Sequence, residues 1–252
     1  MTNSMPQVYK KPVDLSEEQL VELRNEAYDK KKSIYILPES FNVKLAVFDM
    51  DATVIEQESI VELSKSTGKQ AEIQKITDSA MQGEIGFTEA LKKRVAVLEG
   101  IDQNIFKTVL NNLTLSKGIK SLSQYLIQKD IPLALVSGGF VELANPIAER
   151  LQVKYVHANK LQIKNGRLTG QTEGDIVNGE AKAEFVSQLI KELGITASEV
   201  LIVGDGANDR HMLQTTPWSV GFQPKPILRE YAQSANFSGD HDELKTVLAS
   251  CF

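Results

Sequence analysis

Short apolar runs alternate with helix-like segments along most of this chain, and that alternation restricts the fold more than any other feature. Runs that predict strands stand at residues 44–48, 132–136 and 199–203, with amphipathic stretches such as 179–193 between them. The stretch KLQIKNGRLTG predicts a β-hairpin that turns at its Asn-Gly pair. Because strands that alternate with helices form a mostly parallel sheet with helices on both faces, the sequence predicts the α/β class.

Residues 57–115 interrupt this alternation and contain no comparable apolar run. Their charged and apolar residues are interleaved, which predicts helices, two of them joined at a glycine-containing turn at 82–86. We therefore expect a small helical cap domain inserted after the first core strand. Residues 44–56 and 116–252 are expected to form one Rossmann-like α/β core domain.

Residues 1–43 are predicted to be an N-terminal helical extension. Ser16 and Gln19 have the spacing of a capping box, and Leu20 and Ala27 follow at helical intervals. We expect one amphipathic helix that docks on the core, followed by a connection.

Composition and charge exclude several classes of protein. The chain has 252 residues, 42% of them hydrophobic, which is enough for a sizeable core. Its net charge of −5 argues against a nucleic-acid partner, since nucleic-acid-binding surfaces are basic. Cys251 is the only cysteine, so no internal disulfide can form and a reducing, cytoplasmic compartment is expected. Neither a signal peptide nor a membrane-spanning apolar run is visible, so no membrane partner is expected.

Polar loops follow three of the predicted strands, at the edge where such sheets bind their ligands. The loops read DMDAT (49–53), SGG (137–139) and GDGAND (204–209). The acids of the first and third loops would repel one another where the strands end together. A divalent cation would compensate for that repulsion, and a set of oxygen ligands favours Mg²⁺. The three histidines do not have the spacing of a zinc site.

The same loops supply the parts of a phosphoryl-transfer site. Thr53 and Ser137 carry hydroxyl groups that can donate to a phosphoryl oxygen. Gly138 lets backbone N–H groups approach the phosphate closely, and Lys182 offers a point charge near the start of a predicted helix.

Asp49 and Asp51 stand two residues apart, so in an extended segment their side chains project to a similar side. One carboxylate can attack phosphorus and form an aspartyl-phosphate. The other can protonate the leaving alcohol and then activate water. The spacing alone does not say which aspartate takes which role.

Several blocks of the sequence resemble the haloacid dehalogenase superfamily of phosphohydrolases. FDMDATVIEQESI, LALVSGGF and VGDGANDRHML carry this resemblance. MQGEIGFTEALKKRVAVLEG and ANKLQIKNGRLTG make the chain similar to the phosphoserine phosphatase family within it, from about residue 44 to 235. Ala52 stands where that family often has serine, and Arg210-His211 stands where an apolar residue and a small or polar one are usual.

The resemblance implies a role for each matching residue. Asp49 would be the nucleophile, and Asp51 the general acid and base. Mg²⁺ would bind Asp49, Asp205 and the backbone carbonyl of Asp51, with Thr53, Asn208 and Asp209 supporting that region. The residues implied to contact substrate are Glu58 for its ammonium group, Arg94 for its carboxylate, Ser137, Gly138 and Lys182 for its phosphate, Met81 and Phe87 in the closed cap, and Asn208.

The expected function is magnesium-dependent hydrolysis of O-phospho-L-serine to L-serine and phosphate through an aspartyl-phosphate, the last step of serine biosynthesis. The alternative is a phosphatase or phosphotransferase of the same superfamily that acts on another small phosphomonoester. A signalling receiver module also combines acids, magnesium, a hydroxyl residue and a lysine, but it needs neither the paired aspartates nor the helical insert. A nucleotide-binding module built on GDGAND lacks the full glycine fingerprint. The expected partner is the small-molecule substrate, and a homodimer is left open.

Overall fold

The computed structural model describes residues 6–10, 16–38, 42–81 and 84–251. Their strands form a single sheet. In chain order the strands are β1 Gln7–Lys10, β2 Ile34–Leu37, β3 Leu45–Phe48, β4 Leu133–Phe140, β5 Tyr155–Lys164, β6 Arg167–Glu173, β7 Val200–Gly204, β8 Trp218–Phe222 and β9 Ser234–Asn236. The helices are α1 Glu17–Lys30, α2 Ser59–Thr67, α3 Gln70–Met81, α4 Phe87–Ala96, α5 Ile105–Asn112, α6 Ile119–Gln128, α7 Val141–Leu151, α8 Gly179–Leu193, α9 Arg210–Leu213 and α10 His241–Ala249.

The sheet is mostly parallel, which confirms the predicted α/β class. Its strand order is β1-β2-β9-β8-β7-β3-β4-β5-β6, with β2–β9 and β5–β6 as the antiparallel pairs. The β5–β6 hairpin turns at Asn165 and Gly166, whose φ angles of 51° and 75° are both positive. The tight hairpin turn predicted from this Asn-Gly pair requires that conformation.

Helices cover both faces of the central strands. Ala46 and Phe48 of β3 pack in a cluster with residues of α6, α7 and α10, whereas Leu45 and Val47 pack in a second cluster with residues of α8. Each of the four is at most 1% exposed. Successive strand residues point to opposite faces, so a strand covered on both sides is apolar throughout. Burying each Leu, Val or Phe side chain contributes roughly 1.5–3 kcal/mol to stability.

The N-terminal extension contains more regular structure than predicted. α1 is the expected amphipathic helix, and Ser16 and Gln19 form the expected capping box. The connection expected after it contains a strand that the sequence did not indicate, because Ile34–Leu37 forms β2, which pairs with β9 and, in parallel, with β1. All four residues of β2 are buried. The run Ile34–Leu37 has no alternation of apolar and polar residues, so its periodicity does not identify it as a strand.

The segment after β8 also differs from the prediction. A helix is predicted over residues 225–232, but the chain forms only a short 3₁₀ turn at Pro226–Glu230 and returns to the sheet as β9. The backbone N–H of Gln223 bonds to Asn236 O at 2.7 Å, which ties the start of this loop to β9. Pairing with the sheet therefore outweighs the helical pattern of the segment.

The two connections between the helical insert and the sheet run side by side. The backbone N–H of Ser116 donates to Val54 O at 2.9 Å, and that of Glu56 donates to Thr114 O at 3.0 Å. Between them lie α2 to α5, as the helical prediction requires. The division of the chain into extension, core and cap domains stays a prediction.

The insert also contacts the hairpin at the far edge of the sheet. The backbone N–H of Gly100 donates to Leu168 O at 2.8 Å, and that of Leu168 donates to Ile101 O at 2.9 Å. These bonds hold the segment that follows α4 against β6. In the part of the chain that the structure describes, no helix has the length and apolar character needed to cross a membrane.

Candidate active site

The carboxyl ends of β3, β4 and β7 bring the three polar loops together. β3 pairs in parallel with both neighbours, and Phe48 lies opposite Leu135 and Val203. The backbone N–H of Asp49 continues this ladder to Val203 O at 2.9 Å. Strand register therefore places the Asp49 carboxylate beside the loop that carries Asp205.

Asp49 belongs to a buried network of charges. Lys182 Nζ donates to Asp49 Oδ1 at 2.7 Å and to Asp209 Oδ1 at 2.8 Å. Asp209 Oδ2 accepts the backbone N–H groups of Asp205 and Gly206 at 3.0 and 3.1 Å. Both oxygens of Asp209 are therefore engaged, so this residue orients the lysine and the 204–209 loop. Removing one partner of a buried ion pair typically costs about 3–5 kcal/mol, because it leaves a buried charge uncompensated.

Burial and neighbouring charges set the protonation of this network. Burial raises the pKa of Asp49 well above its usual range, Asp209 raises it further, and Lys182 opposes the rise. Burial alone would lower the pKa of Lys182, but its two carboxylate partners outweigh burial and keep the lysine charged. Oxygen atoms of Asp49, Asp205 and Asp209 lie within 4.8 Å of one another. This cluster could hold a metal ion, whose positive charge would favour the ionised form of Asp49.

Asp51 lies in a tight turn in which Ala52 has a φ of 53°. Ser59, the first residue of α2, binds both oxygens of this carboxylate. Its backbone N–H donates to Oδ1 at 3.1 Å and its hydroxyl donates to Oδ2 at 2.9 Å. Burial raises the pKa of Asp51 to about 7, with a further contribution from Glu58, while the Ser59 bonds oppose the rise. A carboxyl group that titrates near neutrality can both give and take a proton, as general acid–base catalysis requires.

Close packing around the carboxylates requires glycine at two positions. A Cβ atom on Gly139 would lie 2.9 Å from Ser59 Oγ and 3.1 Å from Asp51 Oδ2. A Cβ atom on Gly204 would lie 2.6 Å from the carboxyl carbon of Asp209. Any larger residue at either position would displace a carboxylate of the site.

A buried asparagine fixes the SGG loop. Asn159 is 1% exposed, and its Nδ2 donates to Gly138 O at 2.9 Å and to Gly139 O at 3.3 Å. Its Oδ1 accepts the backbone N–H of Val177 at 2.9 Å. Ser137 Oγ accepts the backbone N–H of Gly139 at 2.9 Å, which leaves the hydroxyl proton free to donate. The loop is thus preorganised by its own hydrogen bonds.

A cavity of about 70 Å³, large enough for several water-sized molecules, opens onto these groups. The sheet contributes its acidic residues to the wall, and the insert contributes Glu58, Phe87 and Arg94. The Phe87 ring covers Gly138, where a Cβ atom would lie 3.0 Å from the ring. Burial lowers the pKa of Arg94, and the nearby carboxylates of Glu58 and Asp51 oppose that effect. The cavity therefore has a carboxylate and a guanidinium group on the side that faces the insert.

Most of the residues predicted for the site lie on the cavity wall. They are Asp49, Asp51, Glu58, Phe87, Arg94, Gly138, Asp205 and Asn208. Ser137, Lys182 and Asp209 are fully buried and lie outside this lining set. Thr53 is also fully buried, and its hydroxyl has no hydrogen-bond partner among the residues that the structure describes. The side chain of Met81 lies outside the described part of the structure.

Comparison with known proteins identifies the family. The model of the haloacid dehalogenase-like hydrolases matches residues 46–214, more than half of the chain. The chain belongs to this family. The hydrolase is 38% identical to the phosphoserine phosphatase of Archaeoglobus fulgidus over 88% of this chain and 67% of that protein. It is 41% identical to the phosphoserine phosphatase of Lactococcus lactis subsp. lactis over 81% of this chain and 93% of that protein.

A solved structure resembles the hydrolase closely. It is a phospho-aspartyl intermediate analogue of phosphoserine phosphatase, and its TM-score is 0.76 at 34% sequence identity. The match covers 82% of this chain and 99% of the solved chain.

Sequence reasoning missed several residues of the hydrolase site. Ser59 and Asn159 stand inside the blocks FDMDATVIEQESI and ANKLQIKNGRLTG, so the motifs contained a signal for them. Lys225 stands in none of the quoted blocks, yet its Nζ lies 2.8 Å from Asp205 Oδ2. The loop between β8 and β9 determines its position, and that loop was predicted to be a helix.

His241, at the start of α10, contacts the backbone of the turn that carries Asp51 and Thr53. Its Nε2 lies 2.9 Å from Thr53 O, and the ring donates this bond because a carbonyl oxygen can only accept. The ring stacks on Phe222, with centroids 4.0 Å apart and planes inclined by 3°. Burial lowers the pKa of His241 to about 4, so the folded hydrolase holds the neutral ring at neutral pH.

We expect His241 to make the hydrolase less stable in mild acid. A histidine in an unfolded chain titrates near pH 6.5, whereas the pKa of folded His241 is about 4. The unfolded state therefore binds the proton more readily, and the contribution of this group is lost as the pH falls from about 6.5 towards 4. Once both states are fully protonated, the loss of free energy of unfolding from this group is about 3 kcal/mol.

Urea unfolding at neutral pH and near pH 4.5 can test this effect in the unsubstituted protein and in His241→Gln. Glutamine retains an N–H donor for Thr53 but does not titrate. The variant should lose less of its free energy of unfolding on acidification. An identical acid-induced loss in both proteins would show that His241 does not contribute to it.

Proposed function

We propose that this hydrolase is a phosphoserine phosphatase, which converts O-phospho-L-serine to L-serine and phosphate. One observation carries the proposal: a single cavity is lined by paired aspartates after β3 and, from the insert, by Glu58 and Arg94. The serine portion of the substrate is a zwitterion, so its ammonium group matches Glu58 and its carboxylate matches Arg94. The relatives named above are phosphoserine phosphatases, which supports the same substrate.

Asp49 is the proposed nucleophile. Lys182 holds its Oδ1, which leaves Oδ2 to attack the phosphorus atom. An O–P bond to Asp49 forms while the ester P–O bond breaks, which gives an aspartyl-phosphate. Asp51 donates its proton to the departing serine oxygen, a role that suits its pKa of about 7.

The second step returns the site to its starting state. Asp51, now a carboxylate, takes a proton from a water molecule as that water attacks the phosphorus atom. The bond between Asp49 and phosphorus breaks, and phosphate leaves. Ser59 keeps Asp51 oriented through both steps with its two hydrogen bonds. Two of the three N–H donors of Lys182 bind Asp49 and Asp209. The third is proposed to donate to a phosphoryl oxygen.

Mg²⁺ is the proposed cofactor. Asp49 and Asp205 would hold it, together with the backbone carbonyl of Asp51. The donor set fits this ion because it consists of oxygen atoms. Asp49 Oδ1 accepts one hydrogen bond from Lys182 and can bind a cation as well, and Asp205 keeps one oxygen beyond the one bound by Lys225. When bound, the ion supplies positive charge that stabilises the transferring phosphoryl group.

The helical insert is proposed to act as a cap domain that closes over the substrate and opens for product release. Phe87 would cover the phosphate loop, and Met81 would line the closed cap. A cytoplasmic location is proposed from the lone Cys251, which suits a reducing compartment. In that setting the reaction would be the last step of serine biosynthesis.

Phosphate release from O-phospho-L-serine tests the proposal. We expect release with excess Mg²⁺ and a loss of at least about 100-fold in excess EDTA, since a bound cation contributes several kcal/mol of transition-state stabilisation. Phosphoethanolamine and a sugar phosphate are the comparison esters. A wide preference for either of them would retain the Asp49 chemistry and reject the serine assignment. A long-lived phosphorylated protein without turnover would instead favour a receiver-like role.

A further inference from the structure

Lys225 joins the metal-binding loop to the helical insert. Its Nζ lies 2.8 Å from Asp205 Oδ2 and 3.6 Å from Glu58 Oε1. All three residues line the cavity. Asp205 is a proposed metal ligand and Glu58 is the proposed partner of the substrate ammonium group. One side chain therefore contacts a proposed metal ligand and a proposed substrate ligand. Lys225 stands in none of the quoted sequence blocks, and the proposed mechanism gives it no catalytic step.

Lys225 binds Asp205 at two points. In addition to the side-chain contact, its backbone N–H donates to Asp205 O at 2.9 Å. These two contacts close a ring that fixes both the backbone and the carboxylate of Asp205. Because Lys225 occupies Oδ2, Oδ1 is the oxygen left for a cation.

The surroundings of this pair distinguish it from an ordinary surface ion pair, which contributes little to stability. The side chain of Lys225 is 54% exposed, but that of Asp205 is only 7% exposed. A buried carboxylate has few water molecules to orient it, so the bond from the lysine decides its direction.

The loop that carries Lys225 is anchored on the N-terminal helix. Pro226 begins the short turn that follows it. Arg229 in the same turn pairs with Asp29 of α1 and lies 5.4 Å from the ring centre of Tyr28. The backbone of Lys225 is therefore held on one side by Asp205 and on the other by α1.

We propose that Lys225 is a positioning residue that holds the Asp205 carboxylate in the orientation for metal binding. The inference rests on the metal assignment of the proposed function. The loss of Lys225 could change Mg²⁺ affinity in either direction. If only charge mattered, its removal would tighten binding, because a cation beside the metal position repels Mg²⁺. Positioning predicts weaker binding, since loss of a group that orients a metal ligand typically costs about 10–100-fold in affinity. The sign of the change therefore separates the two effects.

Mg²⁺ binding can be measured without turnover, from the dependence of the unfolding temperature on MgCl₂ concentration. The proteins compared are the unsubstituted chain, Lys225→Met and Lys225→Arg. We expect K225M to raise the Mg²⁺ dissociation constant about tenfold. K225R retains a cation within reach of Asp205 and should restore most of the affinity. In phosphate-release assays, saturating Mg²⁺ should return kcat of K225M towards the unsubstituted value.

Lys44→Met is the matched control. Lys44 pairs with Glu199 at 2.6 Å and its side chain is 49% exposed. Both residues stand just before β3 and β7, at the amino ends of these strands and away from the loops of the site. K44M should leave the Mg²⁺ dissociation constant unchanged. An unchanged or smaller constant for K225M would overturn the positioning role. If the unsubstituted chain shows no Mg²⁺-dependent change in unfolding temperature, the metal assignment itself is wrong, and the inference falls with it.

Discussion

Replacing Asp49 with asparagine should abolish turnover while leaving the fold and substrate binding in place. Asparagine has the same shape as aspartate, but its amide cannot attack phosphorus to form the acyl phosphate. We expect kcat to fall by at least about 10⁴-fold, because loss of a nucleophile leaves only the binding and electrostatic contributions to catalysis. The amide oxygen can still accept the bond from Lys182 that Oδ1 accepts at 2.7 Å. The loss should therefore come from the chemistry and not from unfolding.

Two measurements test the assignment of Asp49 as the nucleophile, and the urea unfolding curve of D49N shows whether the fold is retained. Phosphate release gives the rate, and acid-quenched reactions with labelled substrate show whether phosphate becomes attached to the protein. Asp130→Asn is the matched control, because Asp130 is exposed and has a φ of 57°, a conformation that asparagine adopts readily. It should retain full activity. Substantial turnover or a labelled protein with D49N would refute the assignment of the nucleophile.

The centre of the sheet could be predicted because each central strand is a short apolar run followed at once by a polar loop. β3, β4 and β7 follow that pattern, and the loops after them converge as parallel strands require. β2 and β9 do not follow it. Their pairing joins residues far apart in the chain, such as Ile34 and Ala235, and no local pattern of four or three residues specifies such a pairing.

The residues of the site also fall into those that the sequence identified and those that it did not. The paired aspartates and the phosphate loops are local motifs, so their chemistry could be read from the sequence. Glu58 and Arg94 resemble ordinary surface charges, and only the family resemblance gave them a role. Lys225 and His241 could not be found, because the fold brings them to the site. His241 and Thr53, for example, are 188 residues apart in the chain.

Arg94 should decide which phosphate ester the cavity prefers. Methionine at this position keeps an unbranched, apolar side chain in a partly buried place but removes the guanidinium group. We expect kcat/KM for O-phospho-L-serine to fall about 100-fold, since a charge-assisted hydrogen bond contributes about 1.5–3 kcal/mol. Phosphoethanolamine lacks the carboxylate and should be affected by less than about threefold, which corresponds to under 1 kcal/mol. The ratio of the two substrates is therefore the quantity to measure.

The ratio also separates recognition of the carboxylate from support of the cap. Arg94 Nε donates to Ala90 O at 3.3 Å within α4, so its loss could loosen the helix as well as the substrate contact. A loosened cap would slow both esters equally, whereas a missing carboxylate partner slows only phosphoserine. Arg150→Met, on an exposed position of α7, controls for the loss of an arginine and should change neither rate. Equal losses for both esters with R94M would remove the main argument for serine as the substrate and leave Asp49-dependent hydrolysis of some other phosphomonoester.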